Sequence, residues 1–307
     1  MRNHARLSMR TRFLYLLSWL CVPATVAPAT DSSGLSLPGS PRLFPEYHIT
    51  ADVSMFFFQK NAFFEERRFV ESQFSFAFTL FSVMDSISLI GRPRFQFGMG
   101  RTPGNVVFDP MDLDWDLTPI VEIRSFPVVL QAGLEHRCFH QIDRDNDTLP
   151  TVYWNKPFVG VGSHNMSLPD YRKRLAHSGT PRQRNRLAWS ARVGYFLKEF
   201  FGIVTPGKLD SENNRIVDWR ISARYAFYQW RCWTLHAVGV SSGGLWNRKG
   251  DTAVYRQQET GVELSFRPGE RGALVFLNYI RDDIPRHEGY PRFSKDGLLE
   301  IGISLFK

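Results

Sequence analysis

The chain has 307 residues, a formal charge of +8, 14% aromatic residues and 26 phenylalanines, yet its mean hydropathy is only −0.26. So many aromatics with so polar an average is unlike a soluble enzyme and excludes a bundle of apolar membrane helices. A barrel embedded in lipid reconciles the two, because apolar and polar residues alternate along its strands and the average cancels.

At the start of the chain, Arg2, Arg6, Arg10 and Arg12 precede the apolar run FLYLLSWLCV (13–22), and Ala27-Pro28-Ala29 follows. This order predicts a secretory signal peptide over 1–29, cleaved after Ala29, with a run too short to remain as an anchor. Leu20 stands where a lipoprotein cysteine at Cys21 would need a small residue. Without the four arginines the charge falls to about +4, too weak and scattered to indicate nucleic acid and compatible with basic loops facing anionic headgroups. Cys138 and Cys232 would remain, too few for a disulfide framework and without zinc spacing; a single bridge between them is left open. Residues 30–46, with Ser, Gly and three prolines, read as a mobile mature N-terminus.

From residue 47 onward the pattern is alternation with period two. Within 69–82, Val70, Phe74, Phe76, Phe78 and Leu80 oppose Glu71, Gln73, Ser75 and Thr79. MDLDWDLTPIVEIR (111–124) sets Leu113, Trp115, Leu117, Val121 and Ile123 against Asp112, Asp114, Asp116, Glu122 and Arg124. RIVDWRISARYAF (215–227) sets Val217, Trp219, Ile221 and Tyr225 against Asp218, Arg220 and Arg224. Strands this long, with aromatics near their ends, favour a lipid belt over the two-sheet core of a soluble sandwich. Twelve are expected, over 47–59, 69–82, 87–100, 111–124, 127–142, 151–163, 186–198, 215–227, 231–245, 254–266, 271–281 and 296–306. The number is even, as a closed bacterial barrel requires. The expected class is therefore all-β, a transmembrane antiparallel up-and-down barrel over 47–307. With a periplasmic N-terminus, the turns at 84–86, 125–126, 229–230 and 268–270 are short, and 101–110, 143–150, 199–214 and 282–295 are longer and extracellular. The basic stretch 164–185 is long on the periplasmic side and breaks that rule.

The polar parity collects Glu71, Arg92, Arg94, Asp112, Asp114, Asp116, Glu135, Arg137, Arg192, Asp218, Arg220, Arg224, Glu259, Glu263 and Glu300 in the lumen. Twelve strands lie between the ~8 whose side chains fill the bore and the ~16 of an aqueous porin. Two readings stay open. One is an interlocked polar core that stiffens the barrel; the other is a narrow solute channel with the three aspartates facing arginines.

On VVLQAGLEHRCFHQI (128–142) the apolar parity of Val128, Leu130, Ala132 and Leu134 continues through His136, Cys138 and His140, which places them on the outer surface near the extracellular end. The next strand, TVYWNKPFVGVGS, carries Asn155 on the same side. A histidine two residues before a nucleophile, with an asparagine after a tryptophan on the next strand, resembles the outer-membrane phospholipase A family. The resemblance covers 133–157 and the strand count. It implies a twelve-stranded barrel with its active site on the outer surface, His136 as general base, Asn155 orienting it, and Cys138 at the place of the family's serine. The Ser-Asn-Gly run that follows the family's histidine is absent. A thiol beside an imidazole is a competent nucleophile, provided the imidazole offsets the apolar surround.

The same cluster has other readings. His136 and His140 are about 13 Å apart along a strand, too far to share an ion, but His140 with Asp143 and Asp145 has the chemistry of a loop calcium site. Otherwise no cofactor is expected. The plainest alternative is an interfacial rim, where polar tips reach water and rings sit among headgroups. At the end of the chain, LLEIGISLFK resembles the signal that outer-membrane proteins offer their assembly machinery. Lys307 departs from it, and Phe306 shares parity with Glu300 rather than Ile301. The expected partners are outer-membrane lipids, lipopolysaccharide and the barrel-assembly machinery, with no nucleic acid. Function stays open among a lipid-surface hydrolase, a narrow channel and a structural barrel.

Overall fold

A computed structural model describes residues 41–43, 47–58, 70–83, 86–101, 107–125, 127–141, 152–163, 186–197, 214–248, 251–268, 271–281 and 297–307. They belong to the compact unit Gly39–Lys307. The signal-peptide segment, the stretch 164–185 and the loop 143–150 lie outside the described residues.

The described chain is all β. A two-residue strand, β1 (Arg42–Leu43), precedes β2 (Tyr47–Phe58), β3 (Val70–Val83), β4 (Ile87–Arg101), β5 (Val107–Ser125), β6 (Val128–Gln141) and β7 (Val152–Ser163). These are followed by β8 (Leu187–Tyr195), β9 (Asn214–Trp230), β10 (Trp233–Arg248), β11 (Asp251–Phe266), β12 (Gly272–Arg281) and β13 (Leu298–Phe306). Each of β2 to β13 pairs antiparallel with its sequence neighbours, and β13 pairs with β2, from Phe306 opposite Thr50 to Leu298 opposite Phe58. The sheet thus closes into a twelve-stranded up-and-down barrel with no free edge, the expected class.

Every expected strand is present, with shifted ends. Residues 107–110 are wall rather than loop, and β10 and β11 continue until only 249–250 separate them. Arg42 and Leu43 pair with Ser82 and Phe81, continuing along β3 the line that β2 occupies.

The alternation acts as anticipated. Phe74, Phe76, Phe95, Val121, Ile123, Leu130, Ile221, Val262 and Ile301 stand exposed on the outer face, while Ser75, Thr79, Asp114, Asp116, Glu122, Glu135, Glu263, Asn278 and Glu300 are buried inside. An outward apolar belt around a polar interior is the transmembrane arrangement, since water would favour the reverse. Tyr225, Phe227, Tyr228, Trp230 and Trp233 are exposed around the β9–β10 turn, as aromatic residues are at a membrane–water interface.

Local irregularities re-aim particular side chains. Between β9 and β10 the register slips where Leu245 faces Val217 but Trp246 faces Arg215, leaving Ile216 as an extra residue. That bulge turns Arg215 inward, against strict alternation. A second slip between Thr79 and Phe81 brings Ser82 inside. Prolines act more mildly. The β5–β6 pairs stop at Leu117↔His136 and resume at Ile120↔Gly133 in unchanged register, with Pro119 in the gap.

The bore is filled in its lower part. Ala77, Ile90, Ile120 and Phe158 form one buried apolar cluster, and Leu274, Phe276 and Phe306 another. Large rings fit because glycines lie opposite them. Phe276 faces Gly302 across the β12–β13 pair, and Phe158 faces Gly133, where a Cβ would come within 2.7 Å of the ring.

Candidate functional site

The outer-face group is built by β6 and β7. His136 and Asn155 are direct cross-strand partners, and His136 Nδ1 lies 2.8 Å from Asn155 Oδ1. Asn155 is also held from its other side, because its carbonyl accepts a hydrogen bond from the Leu197 N–H at 3.0 Å. An amide oxygen can only accept, so Nδ1 is the donor in this contact, and in a neutral ring that leaves the lone pair on Nε2. This is the tautomer a general base requires. The Trp115 ring packs against the imidazole, with centroids 5.4 Å apart and planes tilted by 57°. Leu117, opposite His136 on β5, and Leu134, two residues before it, are exposed on the same face. His136 is eight residues above the first residue of β6, roughly 20 Å up a tilted strand, near the top of an apolar band about 25 Å tall.

Cys138 follows two residues later, opposite Trp115 and Tyr153. Its side chain has 0% exposure, so in this arrangement no substrate atom reaches Sγ. Both Cys138 and Cys232 are free thiols. The side chain of His140, with Asp143 and Asp145, lies outside the described residues. Among the described residues no three His, Cys, Asp or Glu side chains converge as metal ligands.

Inside, the charges assigned to the lumen meet one another. Arg137 forks onto Asp114, with Nε 2.7 Å from Oδ1. Arg94 Nε lies 2.5 Å from Asp116 Oδ2, and Arg92 NH2 lies 3.7 Å from Asp116 Oδ1. Lys156 Nζ bridges Glu135 at 3.1 Å and Asp218 at 2.6 Å, and Arg192 reaches Glu135 at 3.4 Å. Below them Arg224 Nε lies 2.7 Å from Glu263 Oε2, and its NH2 lies 3.1 Å from His236 Nδ1. The side chain of Asp112 is outside the described set.

Above the filled layer the interior leaves a cavity of about 270 Å³. Arg92, Arg94, Gln96, Glu135, Arg137, Lys156, Arg192, Arg215, Asp218 and Arg220 line it from β4 to β9. Asp52, Glu71, Gln257, Glu259 and Glu300 line it from β10 round to β3.

Lys156, Arg215, Trp154 and Phe196 belong to this interior and were not anticipated. Lys156 and Trp154 are legible in hindsight, since they share the parity opposite Asn155 in VYWNKPF. Arg215 depends on the bulge at Ile216. Its guanidinium stacks 5.2 Å from the Trp154 ring and 5.8 Å from that of Phe196, so aromatics here serve inward cations as well as lipid.

No family model and no curated protein matches the chain. Solved structures of barrels do. Outer membrane phospholipase A from Escherichia coli aligns at a TM-score of 0.45 and 10% identity, covering 86% of this chain and 97% of that one. An outer membrane channel from Pseudomonas putida F1 aligns at 0.46 and 11%, covering 92% and 99%. The KdgM porin, in complex with disordered oligogalacturonate, aligns at 0.39 and 5%, covering 84% and 97%. These proteins differ among themselves in what they do, and the likeness is to the barrel wall.

Proposed function

We propose that this outer-membrane-type barrel resides in the outer membrane and hydrolyses acyl esters of membrane lipid, phospholipid or lipopolysaccharide, at its outer face. The observation that carries the reading is the 2.8 Å contact between His136 Nδ1 and Asn155 Oδ1. It supports an imidazole held in the orientation a base needs on a lipid-facing surface, where a purely structural rim has no need of such a contact. In the proposed reaction His136 Nε2 takes the proton from the Cys138 thiol, and the sulfur attacks the ester carbonyl. The lyso-lipid oxygen leaves with that proton, and water then cleaves the thioester to release the fatty acid. Because Cys138 is fully covered, lipid docking must displace the side chains over it before acyl transfer.

Initial rates of fatty-acid release from phospholipid vesicles by the refolded protein test this. His136→Ala and Cys138→Ala are expected to abolish release, and Asn155→Ala to reduce it by roughly 10²-fold or more. Absence of release from the unaltered protein, or release indifferent to His136→Ala, overturns the proposal and leaves the rim reading.

A narrow channel is the second reading, favoured by the charged cavity. Against passage through the barrel stands the buried layer of Ile90, Ile120, Phe158 and the Arg224–Glu263 pair.

A further inference from the structure

Inside the barrel, the rungs on either side of the His136–Asn155 pair are tied together. Between β6 and β7 the inward-facing partners are Gly133↔Phe158, Glu135↔Lys156 and Arg137↔Trp154, and His136↔Asn155 lies between the last two with its side chains on the outer face. Lys156 Nζ sits 3.1 Å from Glu135 Oε1, and both residues are buried. Arg192 holds the other oxygen of the same carboxylate at 3.4 Å. Two residues higher on β6, the Arg137 guanidinium lies over the Trp154 ring at 4.8 Å while it forks onto Asp114 of β5.

The lipid-facing pattern does not choose this register. Side chains repeat every two residues along a strand, so a slip of two positions keeps each one on its own face. Such a slip would leave the apolar belt intact and set His136 opposite Tyr153 or Pro157 in place of Asn155. The connection over 142–151 is too long to dictate register as a two-residue turn does. The inward partners do discriminate. Slipped by two, Glu135 would face Trp154 or Phe158, parting a buried carboxylate from a buried ammonium at high cost.

Lys156 also works across the wall. Among the described residues the β7–β8 ladder runs only from Phe158 to Gly162, so the stretch of β7 carrying Asn155 lies above it. Lys156 passes over Gly194 of β8, where a Cβ would come within 2.8 Å of its chain, and reaches Asp218 of β9 at 2.6 Å. Together with the Leu197 N–H on the Asn155 carbonyl, this bridge ties that stretch to the strands that follow.

We propose that Lys156, paired with Glu135, is a positioning residue for the outer-face site: from inside the barrel it holds the register in which the His136 imidazole meets the Asn155 amide. The kinetic consequence rests on the hydrolytic reading of that site, and the structural one does not.

Two measurements on the refolded full-length protein test this. One is ¹⁵N NMR of the histidine-labelled protein in micelles, with the His136 Nδ1–H signal identified by its loss in His136→Ala. The other is the rate of fatty-acid release from phospholipid vesicles. Lys156→Met keeps the length of the side chain without its charge. It is expected to abolish the Nδ1–H signal and to lower kcat by about tenfold or more with KM little changed. Lys156→Arg, which keeps the charge, should retain both. Arg224→Met breaks an ion pair lower in the bore, controls for lost stability, and should alter neither. An Nδ1–H signal that persists in Lys156→Met, vanishes equally in Arg224→Met, or is absent from the unaltered protein overturns the proposal. If the signal responds as expected while the unaltered protein releases no fatty acid, the hydrolytic reading falls and the positioning role stands. Glu135→Gln, of unchanged shape, carries the same comparison if Lys156→Met fails to fold.

Discussion

Removing one member of the Arg224–Glu263 pair should cost far more stability than removing both. Glu263 is 0% exposed and Arg224 2%, with Nε and Oε2 2.7 Å apart. At an effective dielectric of 20 their attraction is roughly 6 kcal/mol, of which desolvation of two ions consumes most. Arg224→Met strands a carboxylate in the filled layer, and Glu263→Leu strands a guanidinium beside His236. Each is expected to cost about 3–5 kcal/mol. The double variant Arg224→Met/Glu263→Leu replaces the pair with apolar side chains of similar volume and should lie within about 1 kcal/mol of the parent. Reversible urea unfolding from phospholipid bilayers, followed by tryptophan fluorescence, measures all three. A loss under about 1 kcal/mol for Arg224→Met, or a double variant as unstable as the sum of the singles, would show that the layer is wet and the pair solvated.

Three further outcomes follow from the wall. Ile301→Arg, placed between Leu277 and Met55 near mid-height, should cost about 2–4 kcal/mol in the same unfolding assay, against at most about 1 for Ile87→Arg at the turn end of β4. Gly302→Val drives a side chain into the Phe276 ring and should lose about 1–3 kcal/mol; combining it with Phe276→Leu should restore part of that loss. In planar bilayers the purified protein should show no steady conductance, because the layer around Ile120 and Phe158 closes the bore, and discrete open-channel steps would contradict the filled interior.

The wall was readable because lipid and lumen impose opposite demands on neighbouring residues. In MDLDWDLTPIVEIR the apolar positions Leu117, Val121 and Ile123 face outward and each described acid inward, with Ile120 alone among its described apolar residues turned into the filled layer, and an even count of such segments is compatible with the closure of β13 on β2. What alternation could not show was where it breaks. The extra residue at Ile216 reverses Arg215, and no feature of NNRIVDW announces it. Inward aromatics such as Phe158 and Phe276 were also hidden, since period-two patterning assigns a ring to lipid, whereas here glycine across the strand makes room inside. The His136–Asn155 meeting was legible as a register question. Both residues had the right parity, and only pairing of the strands could bring them face to face. The covering of Cys138 was not legible, because burial on the lipid face comes from neighbouring side chains rather than from the residue's own strand.

The most direct test of the account is the intact mass of the protein after brief incubation with phospholipid vesicles and acid quench. The account predicts a fraction carrying one fatty-acyl group, mapped by proteolysis to Cys138, labile to hydroxylamine and absent in Cys138→Ala. Fatty-acid release without an adduct at that thiol, or no acylation and no release at all, would contradict it and leave His136 and Asn155 as part of the barrel's interfacial rim.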